Sequence, residues 1–139
     1  HGIVDTEAVD FMSTHTDAYA QLVDMSNISL IKGTEERLSA ADRVYLPEDR
    51  INEVVQEIHD GDIIAATSTL AGLDVAHTGL ALWIDGTLHL LHAPLVGEAV
   101  QISETSLAER INKIEGQDGI IIARPQDQPR REATSAREG

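Results

Sequence analysis

GDIIAATSTLAGLDVAHTGLALWIDGTLHLLHAP, residues 61 to 94, decides the fold. Within it, HTGLALWI and TLHLLHA are apolar runs of strand length separated by Asp85-Gly86. An Asp-Gly pair between such runs favours the type I′ turn of a tight β-hairpin. With those two residues as the loop, Ile84 faces Thr87, Trp83 faces Leu88, and counting back sets Gly79 opposite His92. Side chains alternate along a strand, so His77, Gly79, Ala81 and Trp83 share one face with Leu88, Leu90 and His92, while His89 points the other way. His77 is then diagonal to His92, at roughly 7–8 Å between Cα atoms, and Gly79 leaves the space between the two rings open. A three-residue loop would slip the register by one and separate them.

Two imidazoles on one face beside a glycine fit a general-base pair. One ring near neutral pH takes a proton from a thiol or hydroxyl, and a second polar ring fixes its tautomer and orientation. For either histidine taken alone, a partly buried ring bonded to a backbone carbonyl is the more frequent outcome. No nucleophile accompanies the pair in this stretch.

Outward from the hairpin, the order of elements points to an α+β domain. Loose helical spacing of Val9, Met12, Tyr19, Leu22 and Val23 predicts one helix up to about His15 and another from near Asp17, with Thr16 or Asp17 as its N-cap. Thr34-Glu35-Glu36 opens a short helix to Ser39 or Ala40. Tyr45-Leu46-Pro47 is extended, because proline drives its predecessor out of the helical region. Pro47 to Ile58 reads as a helix with Ile51, Val54, Val55 and Ile58 on one side. Ile63 to Thr67 is a first strand, and Leu70 to Ala76 a connection. After the hairpin come a turn at Gly97, a strand over Ala99 to Ser103, and a helix from Ser106 to Ile114 capped by Ser103 or Thr105. Gly116 stops that helix, and Gly119 to Ala123 is the last strand. Helices followed by mostly antiparallel strands imply a sheet with one face against the helices. One domain over 1–124 and a disordered, polar tail over 125–139 are expected.

A chain of 139 residues buries roughly 68–70% of its unfolded surface and needs no covalent staple. It contains no cysteine, which excludes a disulfide framework, a cysteine zinc site and a thiol nucleophile within these residues. Ten basic against 24 acidic side chains give a net charge of −14. Such a surface repels phosphate backbones, so nucleic acid is not an expected partner, and no basic amphipathic stretch or long apolar run suggests a membrane. The start at His1-Gly2 reads as a processed or truncated end. No feature sets an oligomeric state.

The remaining polar candidates are weaker. Asp74 either brings a carboxylate toward His77 or closes a turn after Gly72. His89 belongs to the far face, and His59 to a helix end, where a positive ring is mildly favoured. His15 is a helix-end histidine or lines the cleft. A zinc or iron site built from His77, His92 and a carboxylate is open in principle, but no HExxH-like spacing supports it.

Gly-Asp-Ile-Ile at 61–64, Gly-Leu-Asp-Val-Ala-His-Thr-Gly at 72–79 and Leu-His-Ala at 91–93, in this order and spacing, resemble the NlpC/P60-type, N-acetylmuramoyl-L-alanine amidase-like family. The similarity runs from Phe11-Met12-Ser13-Thr14-His15 through Tyr45-Leu46-Pro47 to the strand before Pro125. It implies a papain-like α+β fold in which a helix-borne cysteine attacks an amide, with His77 as base and His92 as the orienting residue. The implied substrate is a peptidoglycan fragment cleaved between the muramoyl lactyl group and L-alanine, no metal or organic cofactor is implied, and the implied location is periplasmic or otherwise extracytoplasmic. The family's nucleophile lies N-terminal to the matched region, and Ser13 has neither the low pKa nor the context to replace it. These residues alone are therefore expected to be inactive, as the base-bearing C-terminal part of an amidase. The competing expectation is a binding module that uses the same cleft for a muropeptide or a protein without turnover.

Overall fold

The computed structural model describes residues 2–95 and 98–127. The elements in chain order are β1 (Ile3–Asp5), α1 (Phe11–Thr14), α2 (Met25–Ser39), β2 (Arg43–Pro47), α3 (Ile51–Val54), β3 (Ile63–Ser68), β4 (Val75–Ile84), β5 (Thr87–His92), β6 (Gln101–Ile102), α4 (Leu107–Lys113) and β7 (Gln117–Ala123). The strands form one sheet in the order β1-β2-β7-β3-β4-β5-β6, with every pairing antiparallel. This is the α+β architecture that the order of elements in the sequence implied.

The hairpin register is the one the Asp-Gly loop dictates. Ile84 pairs with Thr87, Trp83 with Leu88, and Leu80 with Leu91. Asp85 and Gly86 both have positive φ, 48° and 78°, as a type I′ turn requires. Leu46, Ile64, Ala66, Ala81, Leu88, Leu90 and Ile120 on one sheet face pack against Ile51, Val54 and Ile58 from the segment around α3 and Leu107, Ala108 and Ile111 from α4. That layer is the core. Ser106, and not Ser103 or Thr105, caps α4 by accepting from the Glu109 amide. The helix ends at Ile114, which is extended, so Gly116 does not stop it but, at φ 89°, serves the next turn, in which the Gln117 amide donates to the Ile114 carbonyl.

Several elements differ from the sequence expectation, each for a local reason. The helix expected to open at Thr34 begins nine residues earlier, at Met25. The Asp24 carboxylate accepts from the Ser26 amide at 2.8 Å and caps it there. The helix expected from Asp17 is two 3₁₀ turns, 16–18 and 20–23, and the one expected over Pro47 to Ile58 is a 3₁₀ turn at 48–50, α3, and a 3₁₀ turn at 55–57. Its apolar face is nevertheless buried as the spacing required. Ile63 does not open the first strand, because β1 and β2 precede it in sequence. Tyr45-Leu46-Pro47 is more than extended: Leu46 pairs with Ile120 and Tyr45 with Ile3. The strand over Ala99 to Ser103 contracts to two residues. The turn at Gly97 and the tail over 128–139 lie outside the described residues.

Entry into β3 is fixed by Asp62, which is 2% exposed. Its carboxylate accepts from Arg124 Nε and Nη2 at 2.8 and 2.7 Å and from the His59 amide at 2.8 Å. The Arg124 bond holds its pKa down at about 2 against the burial that would raise it. A folded pKa below the unfolded value means that this stabilisation is present above about pH 4 and is lost as pH falls through about 2. Asp62→Asn replaces charge-assisted bonds by weaker ones and lowers stability at pH 7 by about 2 kcal/mol. Urea unfolding at pH 7 and pH 2 checks this: the difference between wild type and variant shrinks at the lower pH.

Candidate active site

The site is built where the core-facing side of the hairpin runs out past Ala81 and Leu90. His77, near the start of β4, and His92, at the end of β5, leave the sheet on the same face, and His77 Nε2 lies 2.8 Å from His92 Nδ1. The rings meet edge to face with centroids 5.0 Å apart. His92 is buried and His77 half-buried. The space between them is not open, as the sequence suggested it would be. A Cβ on Gly79 would lie 2.7 Å from Leu90 Cδ1 and 2.7 Å from the Leu91 carbonyl oxygen, so glycine is needed there for close approach of the strands. The rings bridge the gap by bonding directly.

One of the two facing nitrogens must carry the proton, since two lone pairs would repel. If His77 Nε2 donates to His92 Nδ1, the free lone pair of His77 is on Nδ1, which is then the basic atom. Burial lowers the pKa of both rings. The positive charge of Arg110 lowers both further, and His77 lowers that of His92. Both shifts favour the neutral ring, the form a general base requires.

The two histidines open onto a cleft of about 680 Å³ whose far wall is Arg110 and Lys113 of α4 and Gln117 of β7. Sequence reasoning passed over these three. On a helical projection Arg110 flanks the buried stripe of Leu107, Ala108 and Ile111 instead of opposing it. That offset was the available signal. Lys113, three residues on, is the exposed neighbour of Arg110 along the helix.

The other candidates go elsewhere. The Asp74 carboxylate is 3.8 Å from Arg43 Nη2 and lines a separate acidic cleft with Asp5, Glu7 and Asp118. It is not brought to His77. His89 points away from His77 and bonds the Ser103 carbonyl through Nδ1 at 2.9 Å. His15 ends α1, stacked on Phe11 at 4.1 Å with Nδ1 3.0 Å from the Phe11 carbonyl oxygen, and does not line the histidine cleft. His59 is exposed at the end of its turn. The Ser13 amide donates to Glu35, and Ser13 lines a third cleft. Among the described residues no group of three or more His, Cys, Asp or Glu side chains is arranged to hold a metal ion. No helix among them is long and apolar enough to cross a membrane.

The family model described as "AmiA-like: N-acetylmuramoyl-L-alanine amidase-like" matches residues 3–120. The chain belongs to the N-acetylmuramoyl-L-alanine amidase-like family. Among solved structures, an N-acetylmuramoyl-L-alanine amidase from Bacteroides uniformis is similar, with 33% identity and a TM-score of 0.76 over 86% of this chain and 52% of that one. A candidate xylanase from Bacteroides fragilis is similar at 34% identity and a TM-score of 0.76, over 86% of this chain and 53% of that one. The chain thus spans about half the length of the solved structures it matches. None of the curated proteins matches it. In this amidase-like chain, Gly-Asp-Ile-Ile occupies the entry to β3, and the motif ending in His77-Thr78-Gly79 occupies the start of β4.

Proposed function

We propose that the chain is the base-bearing part of an NlpC/P60-type, papain-like cysteine amidase that cleaves the N-acetylmuramoyl-L-alanine bond of peptidoglycan fragments outside the cytoplasm. The observation that carries this reading is the 2.8 Å bond between His77 Nε2 and His92 Nδ1 at the rim of a cleft. In such an enzyme His77 Nδ1 takes the proton of a cysteine thiol while His92 holds the ring. The thiolate sulfur adds to the lactyl carbonyl carbon, the C–N bond breaks, and the proton on His77 passes to the departing amine of L-alanine. Water, deprotonated by the same imidazole, then hydrolyses the thioester and restores the thiol.

Xylan hydrolysis is disfavoured by the same cleft. A glycosidase of the usual kind needs two carboxyl groups flanking the scissile bond, and Glu104 is the one carboxylate among the described residues that line it. A non-catalytic muropeptide-binding module is the second reading, and the absence of any cysteine from the 139 residues favours it for this chain in isolation.

Mass spectrometry of a muropeptide digest tests both. The chain alone is expected to release no peptide, whereas the chain joined to a cysteine-bearing N-terminal segment of an amidase relative releases a peptide with a free L-alanine amine. Hydrolysis by the chain alone overturns the thiol mechanism. Silence from the joined protein, with muropeptide still bound, leaves the binding module.

A further inference from the structure

Arg110 is the anomaly of the cleft. It is half-buried in a protein of net charge −14, yet it has no ion pair among the described residues. Its Nε is buried with no hydrogen-bond partner. Burial pulls its pKa downward, and its charge acts directly on the two histidines. An uncompensated guanidinium in such a place is costly unless something anionic completes it.

In the lining of the same cleft a second buried polar atom stands without a partner, Gln117 Oε1. The two orphans come from different elements, α4 and β7, and are complementary in kind: a forked cationic donor and a neutral acceptor. Lys113 adds a second positive charge at the solvent side of the cleft, and exposed Glu104 is the one acidic side chain lining it. A guanidinium fork matches a carboxylate. A buried amide oxygen matches an N–H. Together they describe a peptide whose carboxylate stands next to a backbone amide.

Resting on the amidase-like reading of the cleft, we propose that Arg110 receives a carboxylate of the substrate's peptide while Gln117 Oε1 accepts from the neighbouring amide N–H, so that the site selects an acidic peptide over its amidated form. Lys113 raises the attraction for the same group at longer range. Both residues are specificity determinants and take no part in proton transfer. A carboxylate seated on Arg110 also cancels much of the field that depresses the histidines, so occupancy raises the basicity of His77 as the acidic peptide arrives.

The test is titration of the isotope-labelled 139-residue chain, followed by NMR, with N-acetylmuramoyl-L-alanyl-D-glutamate, with its diamide, and with N-acetyl-D-glutamate alone. The diacid is expected to bind at least about tenfold more tightly than the diamide, and the midpoints of His77 and His92 rise with the diacid only. Arg110→Gln removes the tenfold preference and raises both histidine midpoints in the free protein, and Arg110→Lys keeps part of the preference. A merely structural arginine would leave the acid-to-amide ratio unchanged. Equal binding of diacid and diamide by the wild-type chain overturns the proposal while leaving the muropeptide reading in place. N-acetyl-D-glutamate binding that depends on Arg110, with no binding of either muramoyl compound, sustains the carboxylate subsite and overturns the muropeptide reading. Failure of all three ligands to bind overturns both.

Discussion

His77→Ala, made in a protein that joins these residues to a cysteine nucleophile, lowers kcat/KM for a muropeptide by about 10²–10⁴, the usual range for removal of a general base. The loss falls mainly on kcat, because the imidazole acts on a proton in flight and contributes little to ground-state binding. The fold is retained, since His77 is half-buried outside the core cluster and its ring bond is to His92 alone. His92→Ala has a smaller effect of the same sign, as it frees the His77 ring to rotate without removing the base. The pH profile separates the roles. Burial and Arg110 hold the His77 pKa below the ordinary imidazole value, so the wild-type rate rises with pH through a midpoint below that value and is level above it. In His77→Ala the residual rate loses that limb. Steady-state kinetics between pH 5 and 8, with circular dichroism as the fold control, decide the matter, and undiminished turnover removes His77 from the mechanism.

Ile120→Ala is the substitution expected to cost most in stability, about 2–5 kcal/mol. Ile120 is fully buried and lies in β7, the strand on which the sheet pivots. It pairs with Leu46 of β2 on one side and with Ala66 of β3 on the other. Truncation removes three buried carbons and leaves a void between the sheet and the helices over it. Its cross-strand neighbours Leu46 and Ala66 are held in register by the strand pairings on both sides, which limits how far they can move to fill it. Equilibrium urea unfolding measures the loss. A cost under about 1 kcal/mol would mean that β2 and β7 can move together, contrary to the close packing of this layer.

Local signals carried the hairpin and α4 and failed at α2. Asp85-Gly86 is a short-range instruction: two residues able to take positive φ set the loop, the loop sets the register, and the register puts His77 and His92 on one face. No distant residue has to agree. The helix over Met25–Ser39 carried no comparable pattern. It buries one residue, Glu35, whose carboxylate accepts from the Ser13 amide, so no apolar stripe announced it and the Asp24 cap was its one sequence mark. The strands β1 and β2 were missed in part because each is short and each is stabilised by partners remote in sequence: β2 by β7, and β1 by β2 and by the Arg43 bonds to Asp5.

The sequence by itself determined the α+β class, the antiparallel hairpin with its register, and the shared face of the two histidines, because turn chemistry and strand alternation act over a few residues. Only the tertiary structure decided that the rings bond directly, that Asp74 is drawn away to Arg43, and that Arg110 and Gln117 form the opposite wall of the histidine cleft. These last depend on how α4 and β7 dock across the sheet, which is set by the burial of Leu107, Ala108, Ile111 and Ile120 and by no pattern near the histidines.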